Sequence, residues 1–274
     1  MIISGTTMNI DDLTIDGRSI KTLKSRLEAI SADNAAAHNA VPRGANLGTS
    51  ITDAQLQAVR NGSFDDLYPG DYWYLPVDGG TTALIVGCNC HCNTYSEDAI
   101  YLPNNTLCVW LKNNSWKFPI NDTDTCAGHL KGSKLYNETF PALAAKLEAV
   151  LPSGCLREST HVIFDSINSS GIRNHFVIDK MKLFLPSRHN LALQFGYAYG
   201  AGVSSYNSAY DGPNQIMWPY SLFTLKSGSG TFFWMDAPYT ATQWNSSFDV
   251  RWIDAQSANA SDANRMVWPY CYIG

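Results

Sequence analysis

The sequence predicts an α+β protein: an N-terminal helical stalk built as a coiled coil, followed by one mixed head of short strands and few helices. Three observations point there. Apolar residues between Ile20 and Val41 follow a heptad spacing, the stretch Val41 to Pro76 encodes a capped helix and then an aromatic strand, and short apolar runs separated by turn residues fill the remainder. The chain accordingly divides into an arm and oligomerising helix (1–41), a junction (42–76) and a globular head (77–274).

In the arm, Met8 to Ile15 alternates weakly, as a short strand or an extended segment would. From Ile20 the period changes. Ile20, Leu23, Leu27, Ile30, Asn34, Ala37 and Val41 fall on alternating steps of three and four, the a/d seam of a coiled coil. Asp16 or Ser19 can cap the start, and Pro42 forbids continuation. Asn34 is the polar member of the seam, a feature that often sets register and strand number. One helix lying on the head would bury the same seam. A helix of about three heptads is marginal alone, however, so a parallel association of identical chains is the expectation.

The junction is written as a short, fully specified helix. Thr52 and Gln55 form a capping box, Ile51 and Leu56 occupy the staple positions, Leu56 and Val59 make the buried stripe, and Gly62 supplies a left-handed stop. Gly70-Asp71-Tyr72-Trp73-Tyr74 then opens the first strand of the head.

This block also carries a resemblance. Arg43-Gly44, Asn46-Leu47-Gly48, Ile51-Thr52-Asp53-Ala54-Gln55, Asn61 to Tyr68 and Gly70-Asp71-Tyr72-Trp73 resemble a recurring block of phage virion appendage proteins. Those are tail, baseplate or head-fibre proteins of phages infecting Gram-positive and gut bacteria. The similarity continues through Cys126 to Tyr136 and Leu185-Pro186-Ser187, and ends at Phe233 to Pro238 and Val267 to Tyr270. It implies a structural or host-attachment role, a homotrimer, other virion proteins as partners, and a virion location after assembly in the host cytoplasm. It brings no catalytic residue.

Composition narrows the function classes. Hydrophobic residues make up 45% and charged residues 16% of the 274, enough for a sizeable core. Net charge is −5 with no Lys/Arg run, so a nucleic-acid backbone is a poor partner. No apolar run reaches a membrane span. The start lacks the basic and apolar regions of a signal peptide, and seven cysteines suit free thiols in a reducing compartment better than a disulfide framework. Eight Trp and 14 Tyr suit broad contact surfaces.

In the head, Thr81 to Cys92 reads as a strand. Leu84, Val86, Cys88, Cys90 and Cys92 share one face while His91 points away, so buried thiols fit the spacing better than a zinc site. Asn121 to Thr125 gathers oxygens as a calcium loop would, but it lacks the glycine and distal glutamate of an EF-hand and reads as a polar turn. Pro141 to Leu151 is a helix with Leu143, Leu147, Val150 and Leu151 inward, stopped by Pro152 and Gly154. His161 to Phe164 and Met181 to Leu185 read as strands. No metal or cofactor is expected.

Two regions invite a ligand. Phe195 to Pro213 mixes Tyr197, Tyr199, Tyr206 and Tyr210 with Gly and Ser, a composition that gives rigid amphipathic contacts on an adaptable backbone. Near the end, Phe248, Val250 and Trp252 alternate against Asp249 and Arg251 as a half-buried strand, with Trp244 at a rim. Tyr206, Tyr210, Trp244 and Arg251 are therefore the candidate contacts with a host-surface glycan or protein. The C-terminal segments Trp234-Met235-Asp236 and Met266-Val267-Trp268-Pro269 resemble those of C-type-lectin-like proteins, without the two arginines usual there. That implies a ligand surface built near the C-terminus. Nucleophile elbows, HExxH and phosphate-binding loops are missing, and Cys271 lacks the second cysteine of the oxidising relatives. A non-catalytic role is expected.

Overall fold

The computed structural model describes residues 14–15, 18–19, 34–90, 105–167, 173–186, 233–238, 241–247 and 256–274. Short strands and few helices make up an α+β fold. Its centre is a five-stranded antiparallel sheet of β3 (Tyr72–Leu75), β4 (Thr81–Cys88), β5 (Leu107–Lys112), β12 (Tyr270–Ile273) and β6 (Leu156–Arg157), in that order. Two antiparallel ribbons accompany it, β1 (Thr14–Ile15) with β2 (Arg18–Ser19) and β7 (Ser159–Ile167) with β8 (Arg173–Met181). A three-stranded sheet holds β9 (Phe233–Pro238), β10 (Gln243–Ser247) and β11 (Gln256–Asn259).

The junction helix α2 (Asp53–Arg60) forms as its residues dictate. Thr52 and Gln55 make both bonds of the capping box, Leu56 and Val59 are buried, and Gly62 takes the left-handed conformation at φ +71°. Trp73 Nε1 donates to Gln55 Oε1 at 3.2 Å, so the capping residue also ties α2 to β3.

Helix α1 (Asn34–Asn39) is the described part of the segment expected to form a stalk, and it is shorter than the heptad spacing predicts. Heptad spacing carries this helix to Val41, with Asn34, Ala37 and Val41 on a seam. The helix stops at Asn39, Val41 lies beyond it at 50% exposure, and Ala37 is only half-buried. Ala35 is the alanine that enters the head's core. A run of alanines is a strong helix former that presents no preferred face, so neighbouring contacts decide. Asn39 Nδ2 donates to Cys88 O at 2.8 Å while its Oδ1 accepts from Cys88 N at 2.7 Å, and His38 Nδ1 donates to Leu67 O at 2.7 Å. These bonds fix α1 against the end of β4. Ile20, Leu23, Leu27 and Ile30 lie outside the described residues, as does the Asn34 side chain.

Strand β4 departs from simple alternation. A register shift between Ile85 and Gly87 moves Cys88 opposite Leu107, onto the face that carries Ile85 and Val109. Leu84 and Cys88 therefore do not share a row. Every residue from Ala83 to Cys88 is buried, because both faces of the strand are covered.

Helix α3 (Phe140–Glu148) begins one residue before Pro141 and buries Leu143 and Leu147 as expected. A π-helical turn, Leu135–Thr139, precedes it and has no signature in the sequence pattern. Met181 closes β8 instead of opening a strand. Beyond it, Phe184 alone bridges to Tyr270.

The junction is held by one buried carboxylate. Asp71 is fully buried and accepts from Ala45 N (2.7 Å), Tyr68 N (2.9 Å) and Arg43 Nε and Nη2 (3.0 and 2.7 Å). Arg43 also reaches the Asp66 carboxylate and stacks on Tyr68, 4.7 Å from the ring centre. Asp71→Asn turns one acceptor oxygen into a donor facing other donors. The expected loss is about 3 kcal/mol in urea unfolding. Asp66→Asn, on an exposed partner, should cost under about 1 kcal/mol. Equal effects would mean that burial of Asp71 is not what matters.

Candidate functional site

Of the four sequence-predicted contact residues, Tyr206, Tyr210 and Arg251 lie outside the described residues. Trp244 lies on β10, where its backbone pairs with Pro238 on one side and Ala258 on the other. An irregularity of register follows it, between Trp244 and Ser246. Its side chain lies outside the described residues.

The polar turn Asn121 to Thr125 braces this small sheet. Asp124 accepts from Asn259 Nδ2 at 2.9 Å and from the backbone and hydroxyl of Ser261, and Cys126 N donates to Ala241 O at 2.8 Å. Asp122 pairs with Lys134 at 2.6 Å, and Asn121 Oδ1 accepts from Lys134 N. The oxygens that suggest a calcium loop thus meet protein donors.

The six described cysteines are buried free thiols: Cys88, Cys90, Cys108, Cys126, Cys155 and Cys271. Burial pushes the Cys88, Cys126, Cys155 and Cys271 thiols up, Cys155 to about 11, which leaves these four weak nucleophiles. His91 and Cys92 lie outside the described residues.

A groove of about 380 Å³ runs between α3 with its π-helical turn and the end of β8. Phe140, Ala144, Met181 and Leu183 give it an apolar lining, and Glu148 and Lys182 meet at 2.7 Å on its rim. At one end Tyr136 Oη donates to Asp179 Oδ2 at 2.8 Å, and Lys131 pairs with the same carboxylate at 2.9 Å. Burial raises the Asp179 carboxyl, but Lys131, Tyr136 and the Lys180 N–H together hold it below its ordinary value. Burial and that same carboxylate push the Tyr136 phenol well up. These groups are mutually satisfied, so they fix the shape of the groove.

The second face of the central sheet is different. Cross-strand pairing sets Tyr72 opposite Leu84, Leu84 opposite Trp110, and Trp110 opposite Tyr270. Trp110 Nε1 donates to Trp268 O at 2.9 Å, and the two indoles meet edge to face at 5.9 Å. Above them lies the Lys112 ammonium, 4.0 Å from the Trp110 ring centre and 5.6 Å from that of Trp268. Such cation–π contacts hold a charge without neutralising it. No carboxylate among the described residues pairs with this ammonium, and burial lowers its pKa to about 8. Comparison of the chain with protein-family models, curated proteins and solved structures finds no match.

The local sequence Trp110-Leu111-Lys112 contains half of this arrangement, because residues two apart on a strand share a face. Its other half, Trp268, comes from far along the chain and leaves no local signal.

A lysine whose folded pKa lies below its unfolded value loses its proton first in the folded state. Between about pH 8 and 10.5 the unfolded chain binds the extra proton, so stability rises with pH across that window. Wild-type protein should therefore gain resistance to urea from pH 8 to pH 10 relative to Lys112→Met, which keeps the stem's packing on the indoles. Parallel pH curves for the two proteins would remove the claim that this ammonium is desolvated.

Proposed function

We propose that this chain is a structural protein of a phage virion appendage whose head contributes to host-surface attachment. In this reading the N-terminal residues gather copies into a homotrimer through a coiled coil, and a C-type-lectin-like head presents aromatic loops to a host glycan or protein. It sits in the assembled virion beside other virion proteins, and it has no reaction of its own.

One observation carries the reading. The residues of the resemblance, Arg43 to Trp73, are the ones that make a single bonded unit: Arg43 and Asp71 clasp, Asn46 bridges to Tyr72, and Thr52 and Gln55 cap α2. The shared block is therefore architecture, a fixed coupling between an incoming helix and a sheet. Asn39 extends that coupling to α1 through its paired bonds to Cys88. A rigid joint suits a protein whose N-terminal part is anchored and whose head must be held outward.

A second reading keeps the virion role but removes the receptor. Five of the eight tryptophans, Trp73, Trp110, Trp116, Trp234 and Trp268, are buried. Most of the indole content thus builds core, which favours a capsid-decorating or baseplate component whose contacts are with neighbouring subunits.

Labelled protein should bind host cells, and Tyr206→Ala with Trp244→Ala should weaken that binding at least about tenfold. Binding unaffected by the pair would reject these contacts, and no binding at all would favour the second reading. For the oligomer, Leu23→Asp with Leu27→Asp should turn trimers into monomers in light scattering. An unchanged mass would rule out the seam.

A further inference from the structure

We infer that the open end of the second sheet face, formed by Lys112, Thr82 and Tyr72, is a binding site for an anionic group of a surface polysaccharide. The inference rests on the attachment reading for the source of the anion, and on geometry for the site itself.

Three observations combine. First, register aligns the row: Thr82 lies directly opposite Lys112 with Tyr74 beyond it, and Tyr72 lies in the next row, opposite Leu84, whose other neighbour is Trp110 beneath the ammonium. Residues facing each other across strands have Cβ atoms about 5 Å apart. Second, this face grades from closed to open. Cys108, Trp110, Tyr270 and Tyr272 are buried, Tyr72, Thr82 and Lys112 are half-buried, and Tyr74 beside Thr82 is 48% exposed. Third, the polar ends of the open residues are unspent. Among the described residues the Lys112 ammonium has only its two indoles, and the Thr82 and Tyr72 hydroxyls have no hydrogen-bond partner.

A half-desolvated cation with no counter-charge among the described residues, opposite the unused Thr82 hydroxyl, is complementary to a carboxylate or phosphate oxygen. Aromatic edges around it suit the C–H faces of sugars. Both a uronic-acid carboxylate and a teichoic-acid phosphodiester supply that chemistry on bacterial surfaces. Among the described residues, the ammonium lies over Trp110 from β5 and Trp268 from the segment before β12, with Thr82 of β4 opposite Lys112, none of them charged.

Tryptophan fluorescence reports on the site, because the ammonium lies on Trp110 and Trp268. The full chain is titrated with tetragalacturonate, with a glycerol-phosphate oligomer and with uncharged dextran, and binding to host cells is measured alongside. A saturable change is expected with at least one anion and none with dextran, and the anion that binds identifies its source. Lys112→Met should weaken binding about tenfold and Thr82→Val by a smaller factor. Affinity should fall from pH 7 to pH 9 as the ammonium deprotonates through about 8. Failure of both anions to bind, or equal affinity in a Lys112→Met protein with native unfolding behaviour, overturns the site. Cell binding by the wild-type chain with neither anion bound overturns the site and leaves the attachment reading standing. Anion binding without cell binding does the reverse.

Discussion

The fold depends on where the Asp71 carboxylate goes. A carboxylate removed from water is tolerated only when its oxygens are filled by donors. Here the donors come from separate stretches of chain: Arg43, Ala45 and Tyr68. Satisfying them forces residues 45–48 to run beside β3, where Tyr72 N donates to Ala45 O, Leu47 N to Tyr72 O and Tyr74 N to Gly48 O. Gly44, at φ +88°, makes the turn that brings the chain alongside. β3 lies at the end of the sheet order, so this segment covers backbone groups that would otherwise offer an edge for pairing. One ionised side chain thereby orients the junction and closes a sheet edge.

The central sheet is completed from the far end of the sequence. β12 lies between β5 and β6, with Tyr270 opposite Trp110 and Ile273 opposite both Leu107 and Leu156. A strand in the middle of a sheet buries both its faces, and Tyr270, Cys271, Tyr272 and Ile273 are all buried. Phe184 packs on Tyr270 at 5.3 Å and Tyr272 at 6.1 Å, extending an aromatic layer over the second face. The high aromatic content has a structural explanation in this layer. Contacts of such long sequence separation form late, because loop closure must come before their gain.

Features set by local rules were legible in the sequence. The α2 cap, its stripe and its glycine stop are encoded within a dozen residues, and so are the inward positions of α3. The strands around Tyr72, Thr81 and Tyr270 follow from their apolar and aromatic composition. What escaped depends on long-range partners. Ala35 is chosen over Ala37 by contacts with β4, the β4 bulge by its pairing with β5, and the π-helical turn by packing that no spacing records. The candidate contacts of the loops rest on composition alone, whereas the Lys112 site needed Trp268 to come back through the C-terminal strand.

Asp71 and Lys112 solve the burial of charge in opposite ways. The carboxylate has donors on every side, and its net ties together parts of the chain that must stay fixed. The ammonium has indole faces beneath it and no opposing charge among the described residues, an arrangement that lowers its proton affinity. Folding alone would favour a methionine there, since the same stem would pack on Trp110 and Trp268 without desolvating a cation. Departures from what stability favours concentrate where a protein meets something else. The contrast separates the clasp that builds the junction from the charge left available on the sheet face.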